Sequence, residues 1–526
     1  MFVLGIDVLL FLIVAPVVSG VILLLLPQNK ALARWTALAL GTAIGGVAIA
    51  TFFAYNSAAS GYQLVMNVPW FEVIGASWHL GIDGISAPML LLTGLLLPLA
   101  ILISFEVEDR VNTHMALILF FATGCFGTFV ALDLMVFFLF YEVSLVPMYF
   151  LINQWGGPNR KYASTKFFVY SLGGSLGMLL ATQLLGITAG TFDIPQLTAI
   201  WPTFTGANGT FLGIDVNTVK ALAFLGFFIA FCIKVPVWPF HTWLPDAHSE
   251  APTAGSMLLA GVMLKLGAYG FLRIVIPIFP DVWVAELNIL GFTTTFAHIF
   301  AVLAMLGIVL GAFAAFGQND IKRLVAYSSV NHMGFVAMGI AVGALAYGEQ
   351  FRTGAYALTQ NAILATNGAV LQMFNHGLSS AGMFLLAGAI YHKTHTRDLS
   401  QYGGLWVKAP IYGGIFIFTS MASLGLPGLN GFVGEFLVVS GSWSVFTTLT
   451  ALSMIGLLFT GGYILKGIRA VLHGPFNLHW KDYNLEIEVR EVVAIAPLMA
   501  LMLITGIAPN WILSVINASV TRLLGA

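Results

Sequence analysis

Residues 234–270 read KVPVWPFHTWLPDAHSEAPTAGSMLLAGVMLKLGAYG. The segment closes an apolar run, 220–239, that contains a lysine, Lys234. Pro236 and Pro239 follow at once. Proline lacks the backbone donor and ends or kinks a helix. A second apolar run, 253–279, then carries Lys265 about twelve residues from its start. Runs of this length cross a hydrocarbon core about 30 Å thick as helices. A charge at mid-membrane costs roughly 2.5–3.5 kcal/mol on insertion scales. The segment therefore predicts two membrane helices, the first broken beside its charge and the second charged at its centre.

The rest of the chain extends this pattern. Of 526 residues, 59% are apolar and only 8% charged, far too little polar surface for a soluble chain of this size. A net charge of -1 leaves no basic face for nucleic acid. Continuous apolar runs exclude an outer-membrane barrel, whose strands alternate apolar and polar residues. Cys125 and Cys232 each stand alone in an apolar run, so no disulfide, iron-sulfur or zinc set is expected. No phosphate-binding glycine motif is present, and the chain is expected to bind no cofactor and no metal. The first apolar run has no basic residue before it and reads as a span, not a cleaved signal.

The fold expected is an all-α polytopic membrane protein with about 14 spans. They are 5–26, 32–54, 84–105, 114–131, 134–153, 166–189, 220–239, 253–279, 285–316, 324–346, 361–391, 409–438, 446–472 and 492–516. The polar intervals 55–83 and 190–219 read as ordered loops. Thirteen of the 21 Lys and Arg residues fall between spans after odd-numbered ones, and three in the even loops and tails. The positive-inside rule then places both termini outside.

Several spans carry charge. Glu142 lies in span 5, Lys234 in span 7, Lys265 in span 8 and Glu435 in span 12, with His332 and His376 in spans 10 and 11. Lys166 and Lys466, near span ends, are accounted for by ion pairs or snorkelling. Four acids and bases on four spans point instead to a polar path, because such groups in membranes mark proton and ion routes. Burial disfavours a charged lysine and a nearby carboxylate restores it, so Glu142 beside Lys234 could load and unload a proton. Histidine suits a proton relay near neutral pH. His392 and His395 form a short HxxH but fall in a basic loop, and a surface role is expected there.

Pro427, Gly428, Gly431 and Gly434 precede Glu435, so span 12 is also expected to break. Spans 7 and 12 lie five apart. Broken helices in matching positions mark transporters built from inverted repeats. The expected repeats are spans 4–8 and 9–13, each of five helices, and an odd number inverts the second copy. SLGGSLGMLL (171–180) aligns with HGLSSAGMFL (376–385) at Ser175/Ser380, Gly177/Gly382 and Met178/Met383. The expected divisions are 1–106 (spans 1–3), 107–283 (first repeat), 284–472 (second repeat) and 473–526 (a loop and span 14).

The segments LGIDGISAPMLLLTGLL (80–96), LFYEVSLVPMYFLINQWGG (139–157), 234–270, DIKRLVAYSSVNHMGFV (320–336), HGLSSAGMFLLAG (376–388) and LPGLNGFVGEF (426–436) carry a resemblance. The chain resembles the antiporter-like membrane subunits of respiratory complex I (NADH:quinone oxidoreductase), most closely the M type, counterpart of the fourth mitochondrially encoded chain. The resemblance implies a non-redox, proton-translocating subunit that couples quinone reduction elsewhere in the complex to pumping. It implies Glu142, Lys234, Lys265 and Glu435 as the functional charges of spans 5, 7, 8 and 12. A glutamate in span 12 is similar to the M type, where the L and N types and the antiporter relatives carry lysine. Implied partners are the L-, N- and K-type neighbours and the bilayer, with quinone met only through the assembled complex. The implied location is a bacterial inner membrane or a related energy-converting membrane. The alternative is a subunit of a multisubunit Na+/H+ antiporter. Two departures stand out. Asn331 precedes His332 where relatives often carry Ser or Ala, and the outer segment 347–366 is longer than the resemblance leads one to expect.

Overall fold

The computed structural model describes residues 2–3, 6–206, 209–211, 213–289 and 291–525. Gly5 and Leu290, at the heads of the expected first and ninth spans, lie outside the described residues. Among the described residues, twelve helices are long and apolar enough to cross a membrane. Two more elements complete the expected set. Span 11, Thr359–Thr394, is long but carries Asn367, Gln372, Asn375 and His376. Those side chains are buried in the protein, so the helix need not be apolar toward lipid. Span 12 is two half-helices, Pro410–Leu424 and Asn430–Trp443. Gly425 and Gly428 between them take φ of +82° and +96°, a region glycine enters without a Cβ penalty.

Span 7 breaks as expected. Its helix runs Val216–Lys234 and resumes at Trp243–Glu250. The Trp243 indole donates to Ile233 O at 2.9 Å and so occupies a carbonyl at the break. Buried backbone groups must find such partners at membrane depth. Span 8, Thr253–Ile278, is buried throughout its most apolar window. It contains two wide turns, Leu259–Met263 and Phe271–Val275, one on each side of Lys265.

Four expectations need correction. Span 9 is the helix Phe296–Phe316, and the run before it forms the hairpin Leu287–Ile289/Phe292–Thr294. Hydropathy does not separate an apolar strand from a helix, and Gly291 at φ +86° makes the turn. Span 14 stops at Ile507, and Pro509 precedes a separate helix, Asn510–Leu523. That helix packs back on the bundle, where Ser519 Oγ accepts from Gly84 N at 2.7 Å. The segment 347–366 is not a long loop, because span 10 continues to Thr353 and span 11 starts at Thr359. His392 belongs to the last turn of span 11, and His395 caps it. In each of the last two cases the helix continues past the apolar run, because a helix beyond the hydrocarbon core does not require apolar side chains.

The two repeats share a backbone device. Asp133, before span 5, forms an isolated antiparallel bridge with Asp193, after span 6. Leu134 N donates to Phe192 O and Ile194 N to Leu132 O, both at 2.8 Å. Asp320, before span 10, bridges Asp398, after span 11. There Ile321 N donates to Arg397 O at 2.9 Å and Leu399 N to Asn319 O at 2.7 Å. Every one of the four aspartates caps the helix that follows it, accepting from Met135 N, Gln196 N, Lys322 N and Ser400 N. One bridge follows even-numbered spans and the other odd-numbered ones, so they lie on opposite faces. That is the relation an inverted repeat requires. Packing agrees: span 4 lies on span 5 as 9 on 10, and span 6 on span 7 as 11 on 12.

Small residues let spans approach closely. A Cβ on Gly45 of span 2 would lie 2.3 Å from Gly94 O of span 3, whereas one on Gly46 would meet nothing within 4 Å. Gly45→Ala should therefore cost about 1–3 kcal/mol through overpacking. Gly46→Ala should cost nothing, because alanine favours helix over glycine. Thermal unfolding of the detergent-purified assembly checks the pair, and equal melting of the two variants contradicts this packing.

Candidate functional site

The six residues singled out from sequence fall into two groups. In the first repeat, Glu142 occupies the third turn of span 5, and one of its carboxylate oxygens, Oε1, is buried without a hydrogen-bond partner among the described residues. Its carboxylate faces Ser175 of span 6 and acts electrostatically on Lys234. Lys234 is the last residue of its half-helix and is 1% exposed. Its ammonium stands 4.4 Å from the centre of the Tyr141 ring. An aromatic face replaces part of a cation's lost hydration. Among the described residues Lys234 is in no ion pair within 4.0 Å, so it is not in direct contact with Glu142.

The second group is tighter. Lys265 is fully buried at the middle of span 8. Its Nζ donates to Ala260 O, a carbonyl five residues back in the first wide turn. It also lies 2.8 Å from His376 Nδ1 of span 11. The other ring nitrogen of His376 is 3.1 Å from Ser329 Oγ of span 10. The His376 and His332 rings stand 5.7 Å apart, centre to centre. His332 Nδ1 is 2.7 Å from Glu435 Oε1, and its Nε2 is 3.3 Å from the Tyr463 hydroxyl. Gln372 Nε2 donates to the same Glu435 oxygen at 3.0 Å. Lys265, His376, His332 and Glu435 thus form one line across spans 8, 11, 10 and 12.

A clasp holds the broken span 12 in this line. Asn375 Nδ2 donates to Asn430 O at 2.6 Å, and Asn430 Nδ2 donates to Asn375 O at 3.1 Å. Asn430 opens the half-helix that carries Glu435 one and a half turns later. The two groups meet where Gly267, two residues after Lys265, packs on Lys234. A Cβ there would lie 2.9 Å from the Lys234 Cβ. No hydrogen bond joins Lys234 to Lys265 among the described residues.

Sequence reading missed several partners. Ser329, Gln372, Tyr463 and the asparagine clasp are ordinary polar residues in long helices, without a charge to mark them. His248 is buried, stacked 4.6 Å from Phe384, with both ring nitrogens unpartnered among the described residues. It acts electrostatically with Lys265. Its place in the half-helix that follows the break of span 7 was the signal that could have found it. Lys166 pairs with Asp246 at 2.6 Å and Lys466 binds Phe316 O and Gln318 O, outside both groups.

Comparison with known proteins identifies the family and the fold. Residues 131–460 match the family model described as NADH:quinone oxidoreductase/Mrp antiporter, TM. NADH-quinone oxidoreductase subunit M of Rhodobacter capsulatus is 39% identical over 494 residues, 94% of this chain and 90% of the relative. Subunit M of Escherichia coli (strain K12) is 40% identical over 467 residues, 87% of this chain and 85% of the relative. A chain of respiratory complex I from Thermus thermophilus superposes with a TM-score of 0.82 at 27% identity, covering 98% of this chain and all of that one. With a model that matches well over half its length and relatives this similar, the chain belongs to the NADH:quinone oxidoreductase/Mrp antiporter family of membrane subunits.

Proposed function

We propose that this chain is the M-type, proton-translocating membrane subunit of a complex I-type NADH:quinone oxidoreductase. The observation that carries the reading is the buried line Lys265–His376–His332–Glu435, which links a lysine to a carboxylate through two imidazoles. Lysine, imidazole and carboxylate each bind and release a proton, and histidine does so near neutral pH. The subunit-M relatives favour this reading over a multisubunit Na+/H+ antiporter, which the family model also embraces.

In this reading the chain carries no redox centre. Quinone reduction proceeds elsewhere in the complex and acts on this subunit through its neighbours, the L-, N- and K-type subunits. Glu142 stabilises the charged form of Lys234, and a change in their separation shifts a proton toward Lys265. The proton then passes along the histidines to Glu435. The functional divisions are residues 1–106, 107–283, 284–472 and 473–526, with the line running from Lys265 in the last helix of the first repeat into the second repeat, and its entry at Glu142 and Lys234 in the first. The chain sits in the inner membrane with both termini outside, supported by the uneven distribution of Lys and Arg.

Three outcomes are expected. In an assembled complex in inverted membrane vesicles, Glu142→Ala should lower proton pumping and NADH:quinone turnover together by about tenfold, or about 1.4 kcal/mol of barrier. Glu142→Asp should retain more of both, and normal pumping by the alanine variant removes Glu142 from the path. Lys265→Ala should abolish pumping, and neither variant should show turnover that depends on Na+; a Na+-dependent rate would favour the antiporter reading. For sidedness, a membrane-impermeant thiol reagent applied from outside should label Ser60→Cys and spare Ser400→Cys, both at exposed positions. The reverse labelling inverts the topology.

A further inference from the structure

Span 8 joins two cavities on opposite faces. One, of about 320 Å³, is lined by Thr253 at the start of the span together with Glu106, Glu250, Lys322, His392 and Arg397. The other, of about 250 Å³, is lined by Arg273 and Pro277 near its end, with Asp83, Tyr62, Thr198 and Arg522. The first borders loops after odd-numbered spans. The second lies on the face that carries the chain termini. Each has room for several waters. Lys265 lies midway between them, and Tyr269 and Arg273 follow it at intervals of four residues. Residues four apart share one face of a helix.

The end of this ladder is built as a polar neck. Arg273 is buried, and its Nη2 lies 2.6 Å from Asp83 Oδ1. Its Nε donates to the Tyr269 hydroxyl at 3.1 Å and its Nη1 to the Tyr62 hydroxyl at 2.7 Å. The Tyr269 hydroxyl donates to Phe129 O of span 4 at 2.9 Å. Asp83 also accepts from Ile85 N and Ser86 N at 3.0 Å. Burial pushes the Asp83 carboxyl up, but the Arg273 guanidinium and these amides hold it below the usual carboxylate range. The described line from Lys265 to Glu435 uses none of these groups.

We propose that Tyr269, Arg273 and Asp83 form an outlet from Lys265, a branch beside its route to Glu435, to the cavity on the terminus-bearing face. The proposal rests on Lys265 carrying a proton, as argued above. The Lys265 ammonium gives up a proton, water and the Tyr269 hydroxyl pass it along the helix face, and the Asp83 carboxylate accepts it and releases it to the cavity. The Arg273 guanidinium is fixed across the neck. A fixed cation in a narrow polar passage repels free cations, so a proton crosses the neck only by way of the Asp83 carboxylate paired with it. Tyr62, in the loop after span 2, holds the guanidinium in place.

The test uses the assembled complex in membrane vesicles oriented so that a reagent reaches the terminus-bearing face. Thr198→Cys puts a thiol in the cavity, and the native Cys125 and Cys232 are fully buried and out of reach. Modification with a trimethylammonium-ethyl methanethiosulfonate should remove most pumping and coupled turnover relative to the same variant untreated. Stoichiometric modification with unchanged pumping overturns the outlet. Asp83→Asn should likewise lose most pumping, with Asp83→Glu retaining more than Asp83→Asn. An assembled Asp83→Asn complex that pumps as the parent does overturns it too. Lys265→Ala separates the two claims. If Lys265→Ala pumps normally, the underlying reading falls; if it is inactive while both outlet perturbations are silent, only the outlet falls.

Discussion

A charged group in hydrocarbon has to draw its solvation from the protein around it. Lys265 imposes that demand at the centre of this chain. Its ammonium takes one partner from its own helix, Ala260 O, and one from span 11, His376. The first exists because a wide turn leaves a carbonyl available, and such turns occur mostly at functional sites. The second requires span 11 to lie beside span 8 with a polar interior. That polarity in turn makes span 11 depend on protein on its buried side. Spans 8 and 10 are buried throughout their most apolar windows for the same reason. The more exposed spans around them form the apolar coat.

The repeats repeat the backbone and exchange the chemistry. Both open their second helix with a capping aspartate bridged to the residue that caps the segment after the third helix. Both break their fourth helix beside a buried charge. On matching spans, however, the first repeat sets a carboxylate (Glu142) against a base (Lys234), and the second sets a base (His332) against a carboxylate (Glu435). The order of acid and base reverses. The first pair is held apart, with an aromatic ring beside the lysine, and the second is in direct contact. A loose pair can change its separation at lower cost than a bonded one. In the proposed reading, that difference suits the pair of the first repeat to entry and that of the second to conduction.

The amino-acid sequence by itself determined the membrane class, nearly every span, both breaks and all six charged or imidazole positions. It did so because these depend on local quantities: hydropathy over about 20 residues, proline and glycine beside a charge, and the cost of burying an ion. Its errors were local too. The hairpin before Phe296 looks like helix to a hydropathy count, and helix ends that run past the apolar stretch, to Thr353 and Thr394, look like loop. The four Asp-Leu and Asp-Ile steps at 133, 193, 320 and 398 stood in the sequence as a sign of the repeat, but a capping aspartate is common and identifies nothing alone. Only the tertiary structure decided which charges meet. Lys265 and His376 are 111 residues apart in sequence, and His332 and Glu435 are 103 apart. Contacts at such separation are set by how the helices pack, through small residues and the asparagine clasp, and no local window contains them.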